Sequence, residues 1–149
     1  MVLPIQYGKP VKGQINDSFH PRVTGVFRVT QRFHDERFGG KHVGIDLGNG
    51  LADGAPVYAV ASGKIILRRT GDGCIGILHA DGTSTYYAHL RQPFMGGLVV
   101  GNLVAKGQQI GRKGGTGGVP EHLHFERHSG ASLTSGHTDP WPWLPLTAL

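Results

Sequence analysis

The run Ile75-Gly76-Ile77-Leu78-His79-Ala80-Asp81-Gly82-Thr83-Ser84-Thr85-Tyr86-Tyr87-Ala88-His89-Leu90 decides the fold class. Two β-prone stretches flank Asp-Gly, the strongest short hairpin signal, because both residues tolerate the positive φ of a tight turn. Residues 75–78 and 83–90 are therefore predicted to form antiparallel strands. Outward from this hairpin the pattern repeats. Phe27-Arg28-Val29-Thr30-Gln31-Arg32-Phe33 alternates apolar with polar residues, as a half-buried strand does. Val43, Ile45 and Leu47 alternate with His42, Gly44, Asp46 and Gly48. Residues 56–61, 63–67, 98–100, 103–104, 109–111 and 123–127 are also strand-like. No segment sustains apolar residues at i, i+3, i+4 and i+7, so no helix is predicted. Short strands separated by Gly-rich turns predict an all-β fold, an antiparallel β-sandwich or barrel.

Composition agrees. The chain has 149 residues, an ordinary size for one domain with a real core. Its 25 glycines and 9 prolines lack a Gly-X-Y period, which excludes collagen. Apolar residues spread in short alternating runs argue against disorder. Residues 1–26 read as an irregular N-terminal arm and 27–149 as the domain proper. The single cysteine, Cys74, allows no internal disulfide and is expected to be a buried, inert thiol. No apolar stretch is long enough for a membrane span. Residues 1–10 show no basic region followed by an apolar run, so no secretory leader is expected. The net charge of +5 suits an anionic partner. Basic residues never run longer than the pairs Arg68-Arg69 and Arg112-Lys113, which favours a wall polyanion over nucleic acid.

The chemistry concentrates in histidines. His42-x-x-x-Asp46, read as strand, puts imidazole and carboxylate on one face and Val43, Ile45 and Leu47 on the other. In His122-Leu123-His124-Phe125-Glu126 the same alternation sets His122, His124 and Glu126 against Leu123 and Phe125 in the core. Two histidines at i and i+2 stand about 7 Å apart, so one ligates and the other stands beside the ion. Spacing leaves open which. Thr85 to Leu90 puts Tyr87 and His89 on a common face. Catalytic zinc takes about three His, Asp or Glu ligands and keeps a position open for water, whose pKa it lowers toward 7. Two further histidines beside that water can move its proton and steady the oxyanion formed at an amide carbonyl.

Gly40-Lys41-His42-Val43-Gly44-Ile45-Asp46, Tyr87-Ala88-His89-Leu90 and His122-Leu123-His124-Phe125-Glu126, in this order and spacing, resemble the M23 zinc peptidases, the LytM and lysostaphin-like endopeptidases of peptidoglycan. Residues 54–59, 61–65, 104–111 and Asp139-Pro140 are similar to family blocks as well, and the resemblance runs from Phe27 to Leu144. It implies the M23 (duplicated-hybrid-motif) barrel-sandwich, with long loops forming a groove. It also implies one Zn2+ per chain on His42, Asp46 and His124, with His89 and His122 as catalytic non-ligand histidines. The implied activity is zinc-dependent endopeptidase hydrolysis of peptidoglycan cross-links or cross-bridges by metal-activated water. The protein is then expected to act as a monomer at the bacterial cell wall, on its extracellular or periplasmic side; without a leader, a phage-encoded lysin made in the host cytoplasm fits too. Lysostaphin-like members place a Tyr six residues before the first zinc His, where this chain has Glu36. The alternative is a catalytically silent LytM-like regulator or wall-binding module; all five catalytic-type residues are present here, which counts against it.

The remaining residues have plainer readings. His20, His34, His79, His128 and His137 match no catalytic block and are expected to be solvent-exposed or locally hydrogen-bonded. Tyr86, Tyr87, Trp141 and Trp143 read as packing residues, the tryptophans in a C-terminal tail over the sheet. Residues 111–118 lack the phosphate-loop spacing and are expected to wall the groove before the His122 strand.

Overall fold

A computed structural model describes residues 28–31 as backbone, and residues 33–34, 41–48 and 54–140 in full. The arm expected over residues 1–26, Glu36 and most of its loop, Trp141 and Trp143 lie outside the described residues.

Ten strands follow in chain order: β1 Arg28–Gln31, β2 Ile45–Gly48, β3 Pro56–Tyr58, β4 Gly63–Arg69, β5 Cys74–His79, β6 Ser84–Ala88, β7 Leu103–Val104, β8 Gln109–Arg112, β9 Leu123–His128 and β10 His137–Thr138. No helix occurs among the described residues, and the fold is all-β and antiparallel. The large sheet runs β1-β2-β9-β6-β5-β4-β7, with β10 added to β9, and β3 pairs β8 in a separate ribbon.

The Asp81-Gly82 hairpin forms as its sequence dictates. β5 and β6 pair from Ile75 and Tyr87 to Leu78 and Ser84. Gly82 takes φ +87°, and the Asp81 carboxylate accepts the Thr83 N–H at 3.0 Å. Ile45 and Leu47 of β2, Ile65 of β4, Ile75 and Ile77 of β5, Tyr87 of β6, and Leu123 and Phe125 of β9 are buried in one cluster. Val57 and Ile110 of the β3–β8 ribbon join it. Two layers thus share one core, as period-2 alternation requires. The Tyr87 ring lies at its centre, and its buried hydroxyl accepts the Val60 N–H at 3.1 Å.

Three local expectations fail. Residues 98–100 form no strand: Leu98 is buried, but Val99 and Val100 are exposed in a turn between Gly97 and Gly101, both at positive φ. Val43 does not join the core either; it is exposed, because β2 starts only at Ile45. Tyr87 and His89 do not share a face, because β6 ends at Ala88 and His89 has φ +66°, which breaks the alternation. β10 was invisible in the two-residue His137-Thr138 stretch and exists only by pairing with β9.

Cys74 is fully buried, its Sγ 2.7 Å from the Tyr86 hydroxyl. Burial pushes the thiol up to about 12, and neighbouring Asp72 adds to the effect. The thiolate is the reactive species, so a disulfide reagent at pH 8 will label Cys74 only on unfolding; rapid labelling of the native protein would contradict this packing. Phe125→Ala, which empties the centre of the core, is expected to lower stability by about 3–5 kcal/mol in urea unfolding.

Candidate active site

The site forms where β2, β9 and β6 lie side by side. Asp46 of β2 and Ala88 of β6 both pair with His124 of β9, so the register puts the chain around His42, the end of β6 and the start of β9 at one place. Directly opposed residues of antiparallel strands bring their Cβ atoms within about 5.5 Å. Accordingly, His124 Nδ1 lies 2.9 Å from Asp46 Oδ1.

His42 reaches the same carboxylate by a different route. A flat strand would separate residues i and i+4 by about 13 Å, too far for a shared contact even on one face. Residues 43 and 44 bend instead, and His42 Nε2 comes within 3.2 Å of Asp46 Oδ1. Gly44 allows the bend to press on β9. A Cβ there would fall on the Phe125 carbonyl oxygen and lie 2.9 Å from Glu126 Cγ and 3.1 Å from His124 Cε1.

His42, Asp46 and His124 each offer one ligand-type atom, all within 4.8 Å of one another. The set fits zinc chemically, being two imidazole nitrogens and one carboxylate oxygen. It also fits in size: ligand atoms on a tetrahedron with bonds of about 2.0–2.1 Å stand about 3.3 Å apart, and the two contacts to Asp46 measure 3.2 and 2.9 Å.

His122 and His89 flank this group without joining it. His122 Nε2 lies 3.6 Å from Asp46 Oδ1, and the His89 and His122 rings are 4.8 Å apart between centroids. Both rings are oriented by main-chain carbonyls. His89 Nδ1 is 2.8 Å from the Thr116 oxygen, and His122 Nδ1 is 2.6 Å from the Pro120 oxygen. A carbonyl can only accept, so each Nδ1 carries the proton and each Nε2 keeps its lone pair when the ring is neutral. The left-handed backbone at His89 swings its ring out of the Tyr87 register and beside His122 and His124. Gly114 bridges to His122, and the Thr116 carbonyl meets His89, so this part of the 111–118 segment lies against the two histidines.

The charges are interlocked. Burial pushes Asp46 up, but hydrogen bonds from His124 and His42 and the charges of His124 and His122 outweigh it, holding the carboxyl well below the usual carboxylate range. Burial alone would lower His124, yet Asp46 and Glu126 raise it to about 9. One positive charge between two carboxylates is thus strongly favoured, and a metal cation at the same donors would supply it in place of the proton. His89 is lowered, chiefly by burial and further by its histidine neighbours, which keeps it neutral near pH 7.

Glu126 gains a role that its position on the ligand face only hinted at: its Oε2 accepts from His124 Nε2 at 2.7 Å and fixes that ring with Nδ1 toward Asp46. The Thr116 and Pro120 carbonyls carry no side-chain signal, so sequence could not reveal them. Of the histidines outside the blocks, His34 is exposed and stacks on Phe33. His79 is buried between Ser62 and Thr85. His128, also buried, bonds Glu126 and Ser135, and His137 lies beside it.

Residues 40–138 match peptidase family M23. The chain belongs to that family. It is 34% identical over 120 residues to the L-Ala–D-Glu endopeptidase of Bacillus subtilis, covering 72% of this chain and 36% of that protein. Among solved structures, the antimicrobial peptidase lysostaphin from Staphylococcus simulans superimposes with a TM-score of 0.66 at 32% identity, over 78% of this chain and 48% of that one. A zinc-containing peptidase from Vibrio cholerae gives a TM-score of 0.57 at 29% identity, over 90% of this chain and 39% of that one. The M23 chain described here spans 18 to 36% of the length of the curated relatives it matches.

Gly44→Ala is expected to destabilise this M23 domain by about 1–3 kcal/mol, since neither the Phe125 carbonyl nor Glu126 can retreat freely. Gly48→Ala is the control: its Cβ would meet nothing nearer than His122 Cβ at 3.5 Å. Thermal melts that place the two variants together would refute the close approach at Gly44.

Proposed function

We propose that the chain is a zinc metalloendopeptidase that hydrolyses peptide bonds of bacterial peptidoglycan, with one catalytic zinc ion held by His42, Asp46 and His124. The observation that carries the reading is the convergence of those three donors beside two further histidines whose Nδ1 atoms are tied to carbonyls. The names of the relatives support the substrate class, since one acts on an L-Ala–D-Glu bond and another is an antimicrobial peptidase.

A zinc ion at this site would supply Lewis acidity, acidifying a water and polarising the scissile carbonyl. The chain's own residues do the rest. Asp46 and Glu126 hold His124 from both sides, so the ring cannot swing away from the site. His89 and His122, with Nδ1 tied to carbonyls, keep the Nε2 lone pair when neutral: one can take the proton of the attacking water, and a protonated imidazole can donate to the developing oxyanion or the leaving amine. Their tethers to Thr116 and Pro120 fix tautomer and direction together. The loop from Gly114 to Pro120 borders the cleft and positions the extended peptide. With a net charge of +5, the protein is drawn to the anionic wall, its place of action, where cleavage would be bacteriolytic.

Purified cell walls test this, with clearing followed by turbidity and released muropeptides identified by mass spectrometry. His124→Ala should lose both zinc and lysis, as should wild type after chelation. His89→Ala and His122→Ala should each retain zinc while losing about 10²–10⁴ in rate. A zinc-free His124→Ala protein that lyses at the wild-type rate would overturn the assignment, and a zinc-loaded wild type inert on all walls would favour the silent regulator.

A further inference from the structure

The face of β9 that carries His124 continues past it. Glu126 and His128 follow at two-residue steps, and His128 pairs directly with His137 of β10. These three residues form a second cluster of ligand-type atoms within 4.8 Å of one another. We propose that Glu126, His128 and His137 form a second metal site, separate from the catalytic one and suited to zinc or another imidazole-preferring divalent ion.

The two imidazole Nε2 atoms converge on a single carboxylate oxygen. His128 Nε2 lies 2.8 Å and His137 Nε2 3.4 Å from Glu126 Oε1, separations close to those at the catalytic group. The tautomer of His128 is set for ligation: its Nδ1 is 2.8 Å from the Ser135 carbonyl oxygen, which can only accept, so Nε2 is the nitrogen left to face Glu126. The site is sheltered and still reachable. His128 is fully buried and Glu126 nearly so, whereas the His137 side chain is 24% exposed. A cavity of about 480 Å³ opens on Glu126 and His137 and leaves room for a water in a fourth position. Arg69 also lines that cavity, but its guanidinium is engaged by Asp72 and the Tyr86 hydroxyl and does not compete for Glu126.

Two imidazoles and one carboxylate select borderline ions such as Zn2+ or Co2+ over Mg2+ and Ca2+, which prefer all-oxygen sets. Bound there, the ion would staple β10 and residues 129–136 to β9, a cross-link in a chain whose only cysteine cannot supply one. It would also draw on the carboxylate that holds His124, because Glu126 Oε2 contacts His124 and Oε1 faces the new site. Glu126 thus supports His124 as well as the new site, whereas His128 and His137 have no part in the catalytic assignment, and the proposal does not depend on the peptidase reading.

Equilibrium dialysis of the full chain against Zn2+, followed by metal analysis, tests the site. Two equivalents are expected for wild type, one each for His42→Ala and His137→Gln, and none for the double variant. In His42→Ala, Co2+ should give a tetrahedral visible spectrum that His137→Gln abolishes. NMR of the wild type provides a check free of substitutions: imidazole nitrogens of His128 and His137 should shift with the second equivalent. One equivalent in wild type that is lost in His42→Ala and kept in His137→Gln would overturn the proposal, as would His128 and His137 resonances unmoved at two equivalents. If instead His42→Ala keeps the wild-type metal content and only His137→Gln reduces it, the second site stands and the catalytic assignment falls.

Discussion

Everything at the candidate site depends on the contact between Asp46 and His124 across the β2–β9 pairing. A carboxylate this well buried costs several kcal/mol unless a positive partner meets it. Here three histidines surround Asp46, and His124 is in turn held by Glu126. The strand register that aligns Ile45 with Phe125 and Leu47 with Leu123 in the core also aligns Asp46 with His124 on the opposite face. Core packing and site geometry are therefore one constraint: a one-residue slip of β9 would expose Phe125 and part Asp46 from His124 together.

Two backbone features complete the arrangement outside regular strands. The bend at residues 43 and 44 folds His42 onto Asp46, and Gly44 lets it lie against β9 without a clash. The left-handed His89 costs on the order of 1–3 kcal/mol for a non-glycine residue. Main-chain bonds on either side offset it, with His89 N–H on the Asp72 carbonyl at 2.9 Å and Leu90 N–H on the Gly73 carbonyl at 3.0 Å. Strain of this kind is retained where a side chain must point in a set direction, and here it directs the imidazole toward His122.

Glu126 links His124 to the His128–His137 pair. One carboxylate oxygen orients His124, while the other gathers His128 of β9 and His137 of the paired β10 strand. Its acidity is strongly enhanced, to about 2, since the bonds from His124 and His128 outweigh the burial that would raise it. It is therefore anionic near neutral pH, and both imidazole groups sense its charge.

The sequence by itself determined the all-β class, the Asp81-Gly82 hairpin, the inward Leu123 and Phe125, and the His-rich blocks, since each depends on local turn chemistry or two-residue alternation. It also put His124 and Glu126 on one face of β9, with His122 just before the strand. Alternation could not fold His42 back on Asp46, because a bend at Gly44 is stabilised by β9, which lies some eighty residues along the chain. It misplaced His89 and Val43 because regular strand geometry stops at Ala88 and begins only at Ile45. Which of His122 and His124 approaches Asp46 more closely was fixed only by the register of β2 on β9. The gathering of His128 and His137 on Glu126 needed the pairing of β10, two residues too short to be read locally. Local sequence sets which face a side chain occupies; distances among chemically active groups arise from pairing between remote strands, and only the tertiary structure specifies those.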